Sequence, residues 1–249
     1  MGVVVLELLG GFALTAGDRV VPVFPTGQRL LAYLALQSRP VHRTHIADLL
    51  WPDATPARSG ANLRTAICRT QHLQPGLIDA DGRHLRLASE VRVDVRAAHQ
   101  LADRLLEFCP DDPALLHADV RDVLAEDLLP DWEDEEWLVV PREQFRQLRL
   151  HALEALVDRL ISCGRTGEAV AAGLTAVAAE PLRESAHRSV IRAHLAAGNR
   201  WAAARQYERC RCLFRDDLGL SPSPELLELS RSPGDALSPF EWLTVTGTP

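Results

Sequence analysis

Two stretches of this chain, thirty-four residues apart, answer one another position by position. Leu156 is matched by Val190, Val157 by Ile191, Ile161 by Leu195, Gly164 by Gly198 and Ala169 by Ala203. An echo of that period marks stacked helix pairs, in which no pair buries its own apolar face and each neighbour supplies the missing half. It commits this part of the chain to an all-α array. The surrounding sequence agrees, because apolar residues recur at three- and four-residue spacing over 97–107, 113–127, 134–162, 167–179, 183–196, 200–216 and 223–230. Residues 231–249, with Pro233, Gly234, Pro239 and Pro249, lack such a period and read as a flexible tail despite Trp242.

Upstream of Val93 the punctuation changes. Val3–Leu9 and Phe12–Leu14 have the apolar, partly β-branched character of strands, with Gly10-Gly11 as a bend between them. Ala16-Gly17-Asp18 turns the chain into a further strand, Arg19–Phe24. Pro25 stops that strand, and Thr26 is placed to cap a helix bearing Leu30, Leu31, Leu34 and Ala35. Thr44 is placed to cap a short helix, Ile46–Trp51, which Pro52 stops. Thr55-Pro56 opens a longer helix that runs to Leu73, before Gln74-Pro75-Gly76. Leu77–Leu87 reads as a hairpin turning on Asp81-Gly82. Strands, helix, helix, tight turn, helix and hairpin follow one another as in a winged helix-turn-helix. The expected fold is mainly α with a small β component: a winged helix-turn-helix with antiparallel strands over 1–92, a tetratricopeptide-like helical array over 93–230, then the tail.

The net charge of −7 hides a partition. Residues 1–92 carry ten arginines against seven acids, and the remainder seventeen against twenty-seven. A basic first third on an acidic remainder suits a nucleic-acid reader joined to a protein-facing module. All 27 basic residues are arginine. Without lysine there is no Walker A loop, no Schiff base and no Ser-x-x-Lys nucleophile. Gly-x-Ser-x-Gly and Gly-x-Gly-x-x-Gly are absent too. Asp134, Glu135 and Glu136 read as a solvated cluster at a helix start rather than a catalytic pair. The cysteines, Cys68, Cys109, Cys163, Cys210 and Cys212, are odd in number and irregular in spacing, as expected of reduced thiols in a cytoplasm. The expectation is a cytoplasmic protein with no enzyme activity, no cofactor and no metal. No apolar run approaches the roughly 20 residues of a membrane span, and the first residues lack the basic flank of a signal peptide.

At about 100° per residue, Pro56–Leu73 separates into two faces. Leu63, Ala66, Ile67 and Thr70 lie on one side. Arg58, Ala61, Thr65, Cys68, Arg69 and His72 lie on the other, with Asn62 and Arg64 on its shoulders. Arginine offers a fork to guanine, asparagine pairs with adenine, and a threonine methyl meets a thymine methyl. An ordinary solvated face is the competing reading. The position, after a short helix and a tight turn, is that of a recognition helix. Arg83, His84 and Arg86 near the hairpin turn suit a minor groove or phosphates. Arg43, Thr44 and His45, where the preceding helix starts, suit phosphates.

In this order the residues resemble a known family. Leu30-Leu31-Ala32-Tyr33-Leu34-Ala35-Leu36, Leu49-Leu50-Trp51-Pro52-Asp53-Ala54 and Ala61-Asn62-Leu63-Arg64-Thr65-Ala66 resemble the winged-helix domain of the Streptomyces antibiotic regulatory proteins. Leu128–Trp132, Leu148–Leu156, Glu180–His187, Ala196–Arg200, Gln206–Arg211 and Leu218–Leu226 are similar to that family's bacterial transcriptional activation domain. The resemblance implies an activator that binds direct repeats in promoters through its recognition helix. It also implies contact with RNA polymerase holoenzyme, sigma factor included, and control of secondary-metabolite (antibiotic) genes, and it leaves open whether two copies pair on DNA. Here the recognition helix ends Cys68-Arg69-Thr70-Gln71-His72-Leu73, less basic than in relatives. Together with the acidic array, that ending keeps an alternative in view: a protein-interaction adaptor whose winged helix does not read DNA.

Overall fold

The computed structural model describes residues 2–107 and 113–231. Cys109 and the tail from residue 232 lie outside the described residues. The described residues form two compact units, one of residues 2–103 with 126–149, the other of 104–107, 113–125 and 150–231.

In the first unit, β1 (Val4–Glu7), β2 (Ala13–Ala16), β3 (Arg19–Val20) and β7 (Val91–Val93) form a sheet in the order β3-β2-β1-β7. β1 pairs antiparallel with β2, Leu6 opposite Leu14, and parallel with β7, Leu6 opposite Val93. The expectation of antiparallel strands therefore holds for β1–β3 and not for β7. A parallel neighbour needs a long crossover, and here the crossover holds every helix and strand between β1 and β7. Beyond β1, the Asp94 carboxylate accepts the amides of Leu8 and Leu9, both at 2.9 Å. Leu129 donates its amide to the Leu8 carbonyl at 2.8 Å, and Gly10 donates to Asp127 at 2.8 Å. These bonds use backbone groups that burial would otherwise strand.

α1 (Pro25–Ala35) starts at Pro25 with Phe24 as its N-cap, so Thr26 lies inside the first turn and does not cap it. Proline's fixed φ suits it to that first position. α2 (Arg43–Leu50) starts earlier than expected. Its cap is His42, whose imidazole accepts the Thr44 amide, in place of Thr44 itself. α3 (Pro56–Leu73) has Thr55 as N-cap, without a side-chain bond. β4 (Val41–His42), β5 (Ile78–Ala80) and β6 (His84–Leu87) make the wing, in the order β4-β6-β5. Asp81 and His84 flank the turn, and Gly82-Arg83 form its tip, one residue beyond the expected Asp81-Gly82. Gly82 alone of the two has a positive φ, 90°, which is the hairpin turn with glycine first.

One core joins Leu6, Leu14, Leu30, Leu34, Ile46, Leu50, Leu63 and Leu85. Leu128 and Leu129 enter it from far along the chain, as do Leu138 and Phe145 of α6 (Glu136–Ser162). The Arg142 guanidinium donates to the carbonyls of Leu128, Leu129 and Trp132, at 3.1, 2.6 and 3.1 Å. Leu129 has a φ of 45° within that clamp.

The second unit takes part of α4 (Asp94–Leu106) and the later turns of α6. It adds α5 (Ala118–Ala125), α7 (Thr166–Ala179), α8 (Glu184–Ala196), α9 (Arg200–Leu213) and α10 (Pro224–Ser230). The single helix expected over 113–127 is a 3-10 turn, Pro113–Leu116, followed by α5. α9 passes into a π-helical turn, Phe214–Leu218, closed by Gly219 at φ 66°. The thirty-four-residue echo is physical. Gly164 and Gly198 both adopt left-handed φ, 72° and 73°. Each donates its amide to a residue three back at 2.9 Å, and the next residue's amide bonds five back, Arg165 to Leu160 at 2.9 Å and Asn199 to His194 at 2.8 Å. Left-handed glycine is the common way to close a helix. Leu156, Val190, Ala169 and Ala203 are buried as the echo requires.

Candidate nucleic-acid interface

α3 holds together on its inner side. Ser59, Leu63, Ala66 and Thr70 are buried and Ile67 is half-buried. The outer side carries Arg58, Ala61, Arg64, Thr65, Cys68, Arg69 and His72, all exposed, with Asn62 half-buried at its edge. The eighteen residues include three arginines and no acid. Among the described residues, no carboxylate pairs with Arg58, Arg64 or Arg69. Arg69 instead lies over the Phe24 ring, its guanidinium carbon 4.0 Å from the ring centre. The Thr65 hydroxyl donates to the Ala61 carbonyl at 3.0 Å, so its hydrogen is used within the helix.

Gln71 joins α3 to the wing and was not singled out from the sequence. Its amide nitrogen donates to Ile78 O at 2.6 Å, and its carbonyl accepts from the Gly76 and Leu77 amides at 3.0 and 3.3 Å. A glutamine in a last turn just before Pro-Gly was the available signal.

At the wing tip, Arg83 is exposed, and its side chain has no carboxylate partner among the described residues. Its carbonyl accepts the Arg43 amide at 2.8 Å, tying the start of α2 to the tip. The Arg43 side chain is half-buried, and the Thr44 hydroxyl is 2.8 Å from the His42 ring. His84 is held locally. Its amide donates to Asp81 at 2.8 Å, and its ring meets that of His42 edge-on at 5.3 Å. The His84 amide hydrogen bond holds the Asp81 carboxyl below its ordinary range, which keeps a negative charge beside the turn. Arg86 is spent on Asp79 at 2.8 Å. The wing is thus less basic than its arginine count implies.

Among the described residues, no three His, Cys, Asp or Glu side chains converge on a metal site. No described helix is long and apolar enough to cross a membrane.

A winged helix with an acid-free outer face, followed by a helical array of thirty-four-residue period, defines a class of regulator. Residues 93–232 match the bacterial transcriptional activator domain, and the chain belongs to that family, in keeping with the resemblance to the Streptomyces antibiotic regulatory proteins. Among individual relatives, it is similar to the regulatory protein AfsR of Streptomyces coelicolor, 30% identical over 226 aligned residues, with 86% of this chain and 22% of that protein covered. AfsR of Streptomyces griseus is 26% identical over 212 residues, 81% of this chain and 21% of its own length. The chain thus spans about a fifth of the length of these relatives. The fold is also found in Mycobacterium tuberculosis EmbR, solved with a low-affinity phosphopeptide, at a TM-score of 0.71 and 20% identity over 92% of this chain and 64% of that one.

Proposed function

We propose that the chain is a sequence-specific DNA-binding transcriptional activator acting in the cytoplasm. Residues 1–92 read direct repeats in promoters, and residues 93–230 recruit RNA polymerase holoenzyme, sigma factor included. The regulated genes, by kinship with the Streptomyces regulators, are those of secondary metabolism. Such a protein works by binding and recruitment and needs no catalytic residue.

The observation that carries this reading is the outer face of α3, with Arg58, Arg64 and Arg69 exposed and no acid anywhere on the helix. Charges without a local partner displace the counterions condensed on a duplex, and arginine forks then fit base edges. Arg83 at the wing tip and Arg43 at the start of α2 extend the positive surface towards phosphates.

The test is footprinting of the full chain on promoters of its neighbouring genes, followed by titration of the protected duplex over a range of salt. Protection at repeated sites is expected, with log affinity falling against log salt by about 0.9 for each phosphate neutralised. Binding that ignores both sequence and salt would overturn the proposal in favour of the adaptor.

A further inference from the structure

We infer that Phe24 is a positioning residue that holds Arg69 ready for a base edge, so that Arg69 supplies discrimination while Arg58 and Arg64 supply phosphate affinity. This inference rests on α3 entering a DNA groove.

The three arginines differ in their surroundings. Arg58 and Arg64 extend from the helix with neither ring nor carboxylate against them among the described residues. Arg69 lies over an aromatic face at 4.0 Å. The kind of partner matters. A carboxylate would occupy the donors of the fork and cancel its charge, whereas a ring face leaves the guanidinium hydrogens at the rim available. A side chain already ordered loses less freedom on binding, and a fork held in one plane suits the paired acceptors of guanine.

The ring has its own seat. Phe24 caps α1, its carbonyl accepting the amides of Gly27 and Gln28 at 2.9 and 3.0 Å. Gly27 is buried, and a Cβ there would come within 2.9 Å of Phe24 Cζ and 3.1 Å of Cε1. The Val23 side chain is as near, its Cγ1 at 2.9 Å, so ring and valine together leave no room for a Cβ at this position in the first turn of α1. Gly27, Phe24 and Arg69 form a stack running from α1 to the outer face of α3.

The experiment uses the full chain, a duplex found by footprinting, and its single-base-pair variants, read by fluorescence anisotropy. Phe24→Leu should weaken cognate binding about two- to fivefold, the size of an exposed ring–cation contact. The loss should fall at one base-pair position and leave the salt slope unchanged. Phe24→Tyr keeps a ring and should bind as the wild type does. In an Arg69→Ala background, Phe24→Leu should have no further effect. Equal losses in both backgrounds, or a loss spread evenly over all variants, would make Phe24 a packing residue only and overturn the inference. If Phe24→Leu lowers the melting temperature, Arg69→Lys serves instead: it should keep the salt slope and lose discrimination at one position, and unchanged discrimination counts against the inference. A wild-type chain that shows no preference among duplexes defeats the DNA-reading proposal itself, before any variant is compared.

Discussion

Arginines are employed differently on α3 and in the helical array. On α3, Arg58, Arg64 and Arg69 share eighteen residues with no acid. In the second unit, Arg165 bonds Glu168 at 2.5 Å, Arg188 bonds Glu184 at 3.0 Å and Arg211 bonds Glu208 at 2.7 Å, each one helical turn away. Arg183 and Arg192 reach across to Glu154 and Asp158 on α6, both at 2.7 Å. The hydrogen bond from Arg165 lowers the Glu168 carboxyl below its ordinary range, so that pair stays charged and internally balanced. An arginine with its counter-charge beside it adds little to the field seen by a polyanion. One without remains available to a distant partner. Charge distribution along the helices, more than arginine number, separates the two regions.

The largest expected effect tests whether the two faces of α3 differ. Leu63→Ala should cost about 2–5 kcal/mol of stability, while Arg58→Ala should change it by no more than about 0.5 kcal/mol. Urea unfolding measures both, and similar losses would break the division between faces. Next, Arg64→Ala should weaken DNA binding about evenly across sequences and lower the salt slope by about 1, as the loss of one phosphate contact does, and a loss confined to one base-pair position would reverse the roles of Arg64 and Arg69. Arg165→Ala is the control from the other region: an unchanged DNA titration and an unfolding curve close to that of the wild type, because solvent screens an exposed ion pair. A loss of DNA binding there would erase the contrast.

Within the array, Gly164→Ala and Gly198→Ala should each cost about 1–2 kcal/mol, because both force a Cβ into left-handed backbone. Markedly unequal melting shifts would show that the two turns are not equivalent. The smallest effect is the pH response of the buried His187. Its Nε2 donates to Pro181 O at 2.8 Å and its Nδ1 accepts from Gln206 at 2.9 Å, a pattern only the neutral ring satisfies. Burial pushes its pKa down, opposed by the hydrogen bond to Pro181 and by Glu184, with Arg209 adding to the downward shift. The unfolded ring therefore takes up a proton first. The contribution of His187 to stability is intact above about pH 6.5 and lost as pH falls towards the lower folded value. Melting curves of His187→Asn should show a shallower fall on acidification, and identical slopes would remove His187 from the account.

What could be read from the sequence follows from how local each cause is. The faces of α3 and the repeated glycines of the array were legible because long periodic segments average out single exceptions. The caps were less so. Thr26 and Thr44 have the right side chains, but Pro25 fixed the start of α1 and His42 supplied the acceptor for α2. β4 and β7 have two and three residues, too few for an alternation to register, and their partners are remote in sequence. The Asp94 and Arg142 clamps depend on chain segments meeting over long separations or on irregular backbone. Phe24 read as the end of a strand, and only coordinates bring it to Arg69.

β1 leaves the ribosome long before the residues that complete its surroundings. β2 follows within a few residues, whereas β7, Asp94 and the segment around Leu129 come about a hundred residues later. At bacterial elongation rates of about 5–20 residues per second the wait is on the order of ten seconds. During it, one edge of a strand carrying Leu6 lacks its partner, and an open edge can pair with a neighbouring nascent chain. Translation stalled in that interval is expected to yield aggregates built through β1, so yield during expression should depend on how quickly the middle of the message is read.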